Sequence, residues 1–277
     1  MDVRPWHRAD LTALEPLLAA SFGRADFDLA DEQAYFPDPA PPGWVVAWDA
    51  AGTPLGFLRF FAAGGGVQVA ELYAVPGPQQ PEILAALLRA FSSSPALAAG
   101  ERLRFDLFPN DVARRALIEQ HLEVTDVHRY LRLDREVRSA GHVPSEPLSL
   151  RDAQAAAEVL GVLKDYPPEE LRHLWAGGDL AVTWQKGAVV GAAHLQSRGG
   201  GEREIVALAV AAEARGTGEG ARLVDALLRR QPPGTARLTL QVREDNAAAR
   251  RLYTHCGFRE RPQGREVWLF TRPRSRS

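Results

Sequence analysis

The sequence predicts an α/β (α+β) chain built from two copies of one unit. Three observations carry this. The chain has 277 residues, enough for two domains of ordinary size. The same order of strand-like and helix-like segments runs through it twice. Val75 precedes Asn110 by about the same distance as Val210 precedes Asn246, and each asparagine is followed by Ala-Arg-Arg, at 113–115 and 249–251.

In the first half, residues 2–5 read as a short strand. Asp10 stands where it could cap a helix whose apolar face is Leu11, Leu14, Leu17 and Leu18. Residues 45–48 and 55–61 read as strands joined by the turn Asp49-Ala-Ala-Gly-Thr. A strand at 67–75, a helix at 82–91, the alternating Leu103, Phe105 and Leu107, a helix at 110–120 and a final strand at 127–133 complete the unit. The second half repeats the order. It has a helix at 152–163, a hairpin at 180–184 and 188–195, and a strand at 204–210. A helix at 218–230 follows, with Leu223, Val224, Leu227 and Leu228 on one side. Then come the alternating Ala236, Leu238, Leu240 and Val242, a helix at 246–255 and a last strand at 265–271. The expected division is 1–135, a linker at 136–147 rich in Pro, Ser, Gly and charge, and 148–277.

Composition narrows the function. The apolar fraction is 45% and the charged fraction 25%, as in an ordinary globule. A formal charge of -2 supplies no basic field for nucleic acid. No run approaches 18 apolar residues, so no membrane span is expected. The single cysteine, Cys256, excludes an intrachain disulfide and fits a reducing compartment. The first residues do not read as a signal peptide. The expectation is a cytoplasmic protein. No His/Cys set has metal spacing, so no metal is expected.

The chemistry-bearing stretch is Leu208-Ala209-Val210, then Arg215-Gly216-Thr217-Gly218-Glu219-Gly220-Ala221. A glycine-rich turn between a strand and a helix lets a ligand approach the main chain. The first N–H groups of the helix have no internal partners and suit an anion. The glycine pattern is neither a Walker loop nor a dinucleotide fingerprint. By itself the turn could equally be a flexible connection that binds nothing.

With the second motif the sequence resembles the GNAT superfamily of acyl-CoA-dependent N-acyltransferases. Arg215, Gly218 and Gly220 match the signature Gln/Arg-x-x-Gly-x-Gly/Ala. Asn246, Ala249, Leu252, Tyr253, Gly257 and Phe258 match Asn-x-x-Ala-x-x-Leu-Tyr ending in Gly-Phe. The clear resemblance covers 179–271 and extends more weakly to the first half. It implies two tandem GNAT-like domains, each a mixed, largely antiparallel twisted sheet flanked by helices. It implies acetyl-CoA as cosubstrate and a primary amine, of a small molecule or peptide, as acceptor. Leu208, Ala209 and Val210 resemble the strand that pairs with the pantetheine arm, and 215–221 the pyrophosphate cradle. Asn246, with Ala249 in the same motif, resembles the residue on the pantetheine or adenosine side. Tyr253 resembles the acid that protonates the leaving thiolate, and Glu204 the position that supplies the base in some members. Arg172, His173 and Trp175 are candidates to line the acceptor pocket.

The first half departs from this pattern. Gln80 aligns with Arg215, the glycine positions hold Ile83 and Ala85, and prolines crowd the turn. Leu117 stands where Tyr253 does and Leu122 where Phe258 does. The expectation is a first copy without catalysis and a second copy that binds acetyl-CoA. The alternative is a non-catalytic acyl-CoA sensor, whose sequence could lose Tyr253 and keep 215–220.

Overall fold

The computed structural model describes residues 1–22, 29–30, 33, 40, 43–62, 67–92, 102–137, 146–163 and 165–274. The strands are β1 (Asp2–Pro5), β2 (Val45–Trp48), β3 (Pro54–Ala62), β4 (Val67–Ala74), β5 (Arg102–Leu107), β6 (Leu122–Glu136), β7 (Leu180–Gln185), β8 (Ala188–Gly199), β9 (Glu202–Val210), β10 (Arg237–Arg243) and β11 (Arg259–Pro273). The α-helices are α1 (Leu11–Phe22), α2 (Gln80–Ser92), α3 (Val112–His121), α4 (Leu150–Leu160), α5 (Pro168–Ala176), α6 (Glu219–Arg229) and α7 (Ala247–His255). Most of the expected linker, 138–145, lies outside the described residues.

The chain forms two compact units, residues 1–128 with 266–277, and residues 129–265. In the first, β1, β2, β3 and β4 pair antiparallel in sequence order, β4 pairs parallel with β5, and β5 pairs antiparallel with the second half of β11. In the second, β7, β8 and β9 pair antiparallel, β9 pairs parallel with β10, and β10 pairs antiparallel with the second half of β6. Each unit is thus a mixed, largely antiparallel sheet with helices against it.

These units differ from the contiguous spans 1–135 and 148–277. The closing strand of each copy sits in the other unit. β6 follows the first copy's helices, yet Leu131 and Leu133 are buried in the core of Leu223, Leu227, Leu238 and Leu240. β11 follows the second copy's helices, yet Val267 and Leu269 are buried with Leu103, Phe105 and Leu107. Both strands run 15 residues, longer than the segments 127–133 and 265–271 expected from alternation. Alternation marks a half-buried strand but carries no information on which sheet it joins. Two further departures are local. The helix expected at 152–163 ends at Leu160, and a second helix, α5, follows Pro167. Asp10 closes a 3-10 turn ahead of α1, its carboxylate accepting from His7 N–H at 2.9 Å and from Arg4 at 2.8 and 2.9 Å.

The repeat is visible at atomic detail. Gly56 opposite Ala74 and Gly191 opposite Val210 occupy one position in the two units. A Cβ at Gly56 would lie 2.6 Å from the Tyr73 carbonyl oxygen, and one at Gly191 would lie 2.7 Å from Thr183 Oγ1. The amide after each strand, Val75 or Ala211, donates to the neighbouring strand, at Leu55 or Val190.

Deleting residues 266–277 removes the partner of β5. Amide exchange at Leu103, Phe105 and Leu107 should then accelerate by roughly tenfold or more, while the β8–β9 amides keep their protection. Hydrogen exchange followed by mass spectrometry reads this directly.

Candidate active site

The site begins where two parallel strands part. The β9–β10 ladder runs only from Glu202↔Arg237 to Ile205↔Leu240, although β9 continues to Val210 and β10 to Arg243. At the same level the β8–β9 register shifts, His194 facing Ala207 and Leu195 facing Ile205, so Val206 is an extra residue. A bulge of this kind bends a strand and raises its twist. Beyond it, backbone groups of Ala207 to Val210 that do not face β8 point into a gap. Leu208, Ala209 and Val210 lie on this stretch, where an extended ligand could add as a strand.

The chain then turns through residues 211–218 into α6. Gly216 and Gly218 have φ of 80° and 90°, left-handed angles that cost a side chain about 1–2 kcal/mol. Thr217 Oγ1 donates to Ala214 O at 2.8 Å and pins the turn. Arg215 Nε donates to Val210 O at 3.1 Å, tying the turn to the strand end. Among the described residues, the amides of Gly216 to Ala221 have no hydrogen-bond acceptor. Six successive free donors at a helix N-terminus make an anion site. Glu219 is the exception in its side chain. It is buried, Oε1 accepts from Arg222 at 2.6 Å, and Oε2 is sealed without a partner. Its contribution to the cradle is its main chain.

α7 comes against this helix at one close contact. A Cβ on Gly220 would lie 2.9 Å from Leu252 Cδ2, so the small residue sets the approach. Asn246 caps α7, its Oδ1 accepting from Ala249 N–H at 3.1 Å. The helix ends in a Schellman motif. Gly257 has φ of 82°, its N–H donates to Thr254 O at 3.0 Å, and Phe258 N–H donates to Tyr253 O at 2.9 Å. The Tyr253 and Phe258 rings meet edge to face at 5.7 Å. Tyr253 is buried, and burial pushes its phenol up to about 12. It therefore stays protonated throughout the neutral range. Cys256 beside it is half-buried, and burial pushes its thiol up as well.

Glu204 lies on the other face of the sheet. Its neighbour Ile205 packs with α6 and α7, which turns Glu204 toward α4 and α5. Its carboxylate is held by Arg198, through Nε at 2.6 Å and Nη2 at 2.5 Å. Arg198 is a partner that spacing along β8 did not reveal. Of the residues expected to line an acceptor pocket, Trp175 is a core residue, with Nε1 donating to Glu146 O at 2.7 Å and the Arg230 guanidinium 3.7 Å from its ring. Arg172 and His173 are exposed on α5. A cavity of about 520 Å³ touches Leu228 and Arg237 near the far end of α6 and includes none of the expected site residues. Among the described residues no group of acidic, histidine or cysteine side chains could hold a metal.

Residues 149–258 match the sequence profile of the acetyltransferase (GNAT) family. This segment is a GNAT acetyltransferase domain. Membership supports acyl-CoA N-acetyltransferase activity in general, with acetyl-CoA as the family's cosubstrate. A GCN5-related N-acetyltransferase from Sphaerobacter thermophilus superposes with a TM-score of 0.65 at 19% identity, covering 99% of this chain and 96% of the other. A tandem GNAT protein from the clavulanic acid biosynthesis pathway gives 0.65 at 17% identity, covering 100% and 99%. A GNAT-family acetyltransferase from Colwellia psychrerythraea gives 0.61 at 15%, covering 98% and 100%. At these identities the likeness is one of fold, and the fold is the tandem GNAT arrangement. No curated protein sequence matches the chain. No helix among the described residues is long and apolar enough to cross a membrane.

The first GNAT-like unit keeps the parting and loses the cradle. β4 and β5 pair from Val67↔Arg102 to Ala70↔Phe105 and then separate, yet β3–β4 runs without a bulge. Gln80 Nε2 donates to Ala74 O at 3.0 Å, as Arg215 does to Val210. The helix, however, starts at Gln80 itself, so residues 81–83 are helical where the second unit has Gly-Thr-Gly. Pro76, Pro78 and Pro81 carry no N–H. Asn110 does not open α3 as expected; the cap position belongs to Asp111, which makes no side-chain cap bond. The spacing around the asparagine is unchanged; α3 starts two residues after Asn110, whereas α7 starts one after Asn246.

Gly218→Ala adds no clash but forces a left-handed alanine. Holding the loop in its binding form should cost about 1–2 kcal/mol, which weakens acetyl-CoA binding by roughly tenfold. Titration calorimetry measures the change.

Proposed function

We propose that the second unit transfers an acetyl group from acetyl-CoA to a primary amine of a small molecule or peptide, by direct attack. The observation that supports this most is the run of six amides at 216–221, unbonded among the described residues, joined to the open edge of β9 and to a buried, neutral tyrosine. The pyrophosphate would lie on the amides, with the pantetheine arm along Leu208–Val210. A main-chain N–H in the gap would polarise the thioester carbonyl. The amine nitrogen attacks the carbonyl carbon, the C–N bond forms and the C–S bond breaks. Tyr253 donates its proton to the departing thiolate and regains one from solvent, and the attacking nitrogen gives up its extra proton on the acceptor side. Glu204 stands on the opposite face of the sheet and supplies negative charge on the acceptor side. Asn246 would hold the start of α7 in place through its cap.

In this reading the first unit does not catalyse. Three prolines remove donors from its turn, Leu117 cannot donate a proton, and its strand lacks the bulge.

Acetyl-CoA should therefore bind with a stoichiometry of one per chain by calorimetry; two equal sites, or none at millimolar ligand, would contradict the reading. Tyr253→Phe should lower kcat by roughly 10²-fold or more in a thiol-release assay across a panel of amines. Its acetyl-CoA affinity should stay within about threefold, because the loop is untouched. The wild-type kcat should show no alkaline fall below pH 10, since the phenol titrates near 12.

A further inference from the structure

Two buried polar side chains of the second unit have no part in the scheme above. The Tyr166 hydroxyl, between α4 and α5, lies 2.9 Å from His194 Nδ1, and the rings meet edge to face at 5.4 Å. Both residues are more than nine-tenths buried. Burying an imidazole and a phenol has a cost even when they bond each other, and apolar residues of similar size would avoid it. A titratable pair in such a place calls for a use.

Its position supplies one. His194 stands opposite Ala207 on β9, and Ala207 belongs to the core under α4 and α5, as does Tyr166. Gln196, two residues on and hence on the same face, stands opposite Glu204. His194 and Glu204 are thus diagonal neighbours on one surface, within reach of long side chains. They differ in level. Glu204 lies within the closed β9–β10 ladder, facing Thr239, whereas Ala207 lies past its last pair. His194 is therefore level with the opening where the thioester would sit.

The first unit gives a control. Three residues after the paired glycine, where the second unit has His194, it has Arg59 opposite Glu71. Arg59 Nε donates to Glu71 at 2.6 Å, and Trp6, Phe57 and Phe61 surround its guanidinium at 4.8 to 5.6 Å. A guanidinium stays charged and takes no proton. The unit without a phosphate cradle thus has a fixed cation where the unit with one has an imidazole.

We propose that His194, oriented by Tyr166, takes the proton that the acceptor amine gives up, while Glu204, held by Arg198, draws the ammonium in. This rests on the acetyl-transfer reading and passes the base role expected for Glu204 to a residue on the next strand. With Nδ1–H donating to the Tyr166 oxygen, Nε2 carries the lone pair. The proton moves from the amine nitrogen to Nε2 as the C–N bond forms, and solvent removes it after product leaves. Tyr166 is a positioning residue. Burial first, and then Glu170 on α5, push its phenol up, so it stays neutral. The charged groups on this face include Glu204, Arg198 and, farther down the β9–β10 ladder, Glu202 and Arg237. α4 turns Ala153, Ala156 and Leu160 toward it, and β7 places Leu180 opposite His194.

The test uses the full chain with ¹³C-labelled histidine, the His194 signal being assigned by its loss in His194→Gln. His194 should change charge state between pH 5 and 9. Its midpoint should move on adding acetyl-CoA, and again in Tyr166→Phe. With an amine found in the acceptor panel, His194→Gln should lower kcat/KM by roughly 10²-fold and remove the acidic limb of its pH profile. Its acetyl-CoA affinity should stay within about threefold. Glu204→Gln should raise KM and keep the limb. The proposal is overturned by an imidazole that keeps one charge state from pH 5 to 9, by a His194→Gln enzyme with its limb intact, or by loss of the limb in Glu204→Gln. The imidazole titration decides even if no amine in the panel reacts. Failure of acetyl-CoA to bind would instead sink the transfer reading itself.

Discussion

Two parallel strands that stop pairing after four residues set the terms for the second unit. A buried strand must place its N–H and C=O groups somewhere. Past Ile205 and Leu240 the groups of β9 lose their partner strand, and the gap becomes a place where a ligand can complete the sheet. The extra residue Val206 puts the bend at that point. The remaining parts of the site are arranged around it. The glycine turn follows directly from the freed strand, and α6 presents its amides at the end of that turn. α7 is drawn close at Gly220, which brings Tyr253 beside the cradle. Removing the bulge or lengthening the ladder would close the gap without touching any polar side chain of the site.

The sequence was most legible where main-chain conformation dictates the residue. Gly216, Gly218 and Gly257 adopt left-handed angles, and Asn246 caps a helix, so each leaves a letter that can be read. Tyr253 was legible through its place in that pattern. Pairings between strands were not. Nothing in the letters of β8 announces that Arg198 will hold Glu204 or that His194 will meet Tyr166 from a loop 28 residues away. Trp175 looked like a pocket residue because aromatics serve both cores and sites; its neighbours place it in the core. The exchange of β6 and β11 was equally hidden, since a half-buried strand alternates in the same way in either sheet.

The two units also show how little has to change for a cradle to disappear. The first keeps the side-chain tie from the turn to the strand end, through Gln80 instead of Arg215. It keeps the parting of its parallel strands. What it lacks is three residues of non-helical turn, because α2 begins at Gln80 itself. Those residues become helix, prolines replace donors, and the anion site is gone while the scaffold is preserved.

The exchanged strands bear on why a chain would retain such a copy. The strand that closes the first sheet is encoded after the whole of the second unit, and the strand that closes the second is encoded before it. Neither half is a separable module in the genetic sense. A cut at the linker would leave one sheet short at β5 and the other short at β10, each with an unpaired edge of the sort that invites aggregation. The first copy's turn and helix cap can therefore change freely, yet the copy cannot be discarded, because β6 is part of the second unit's own core.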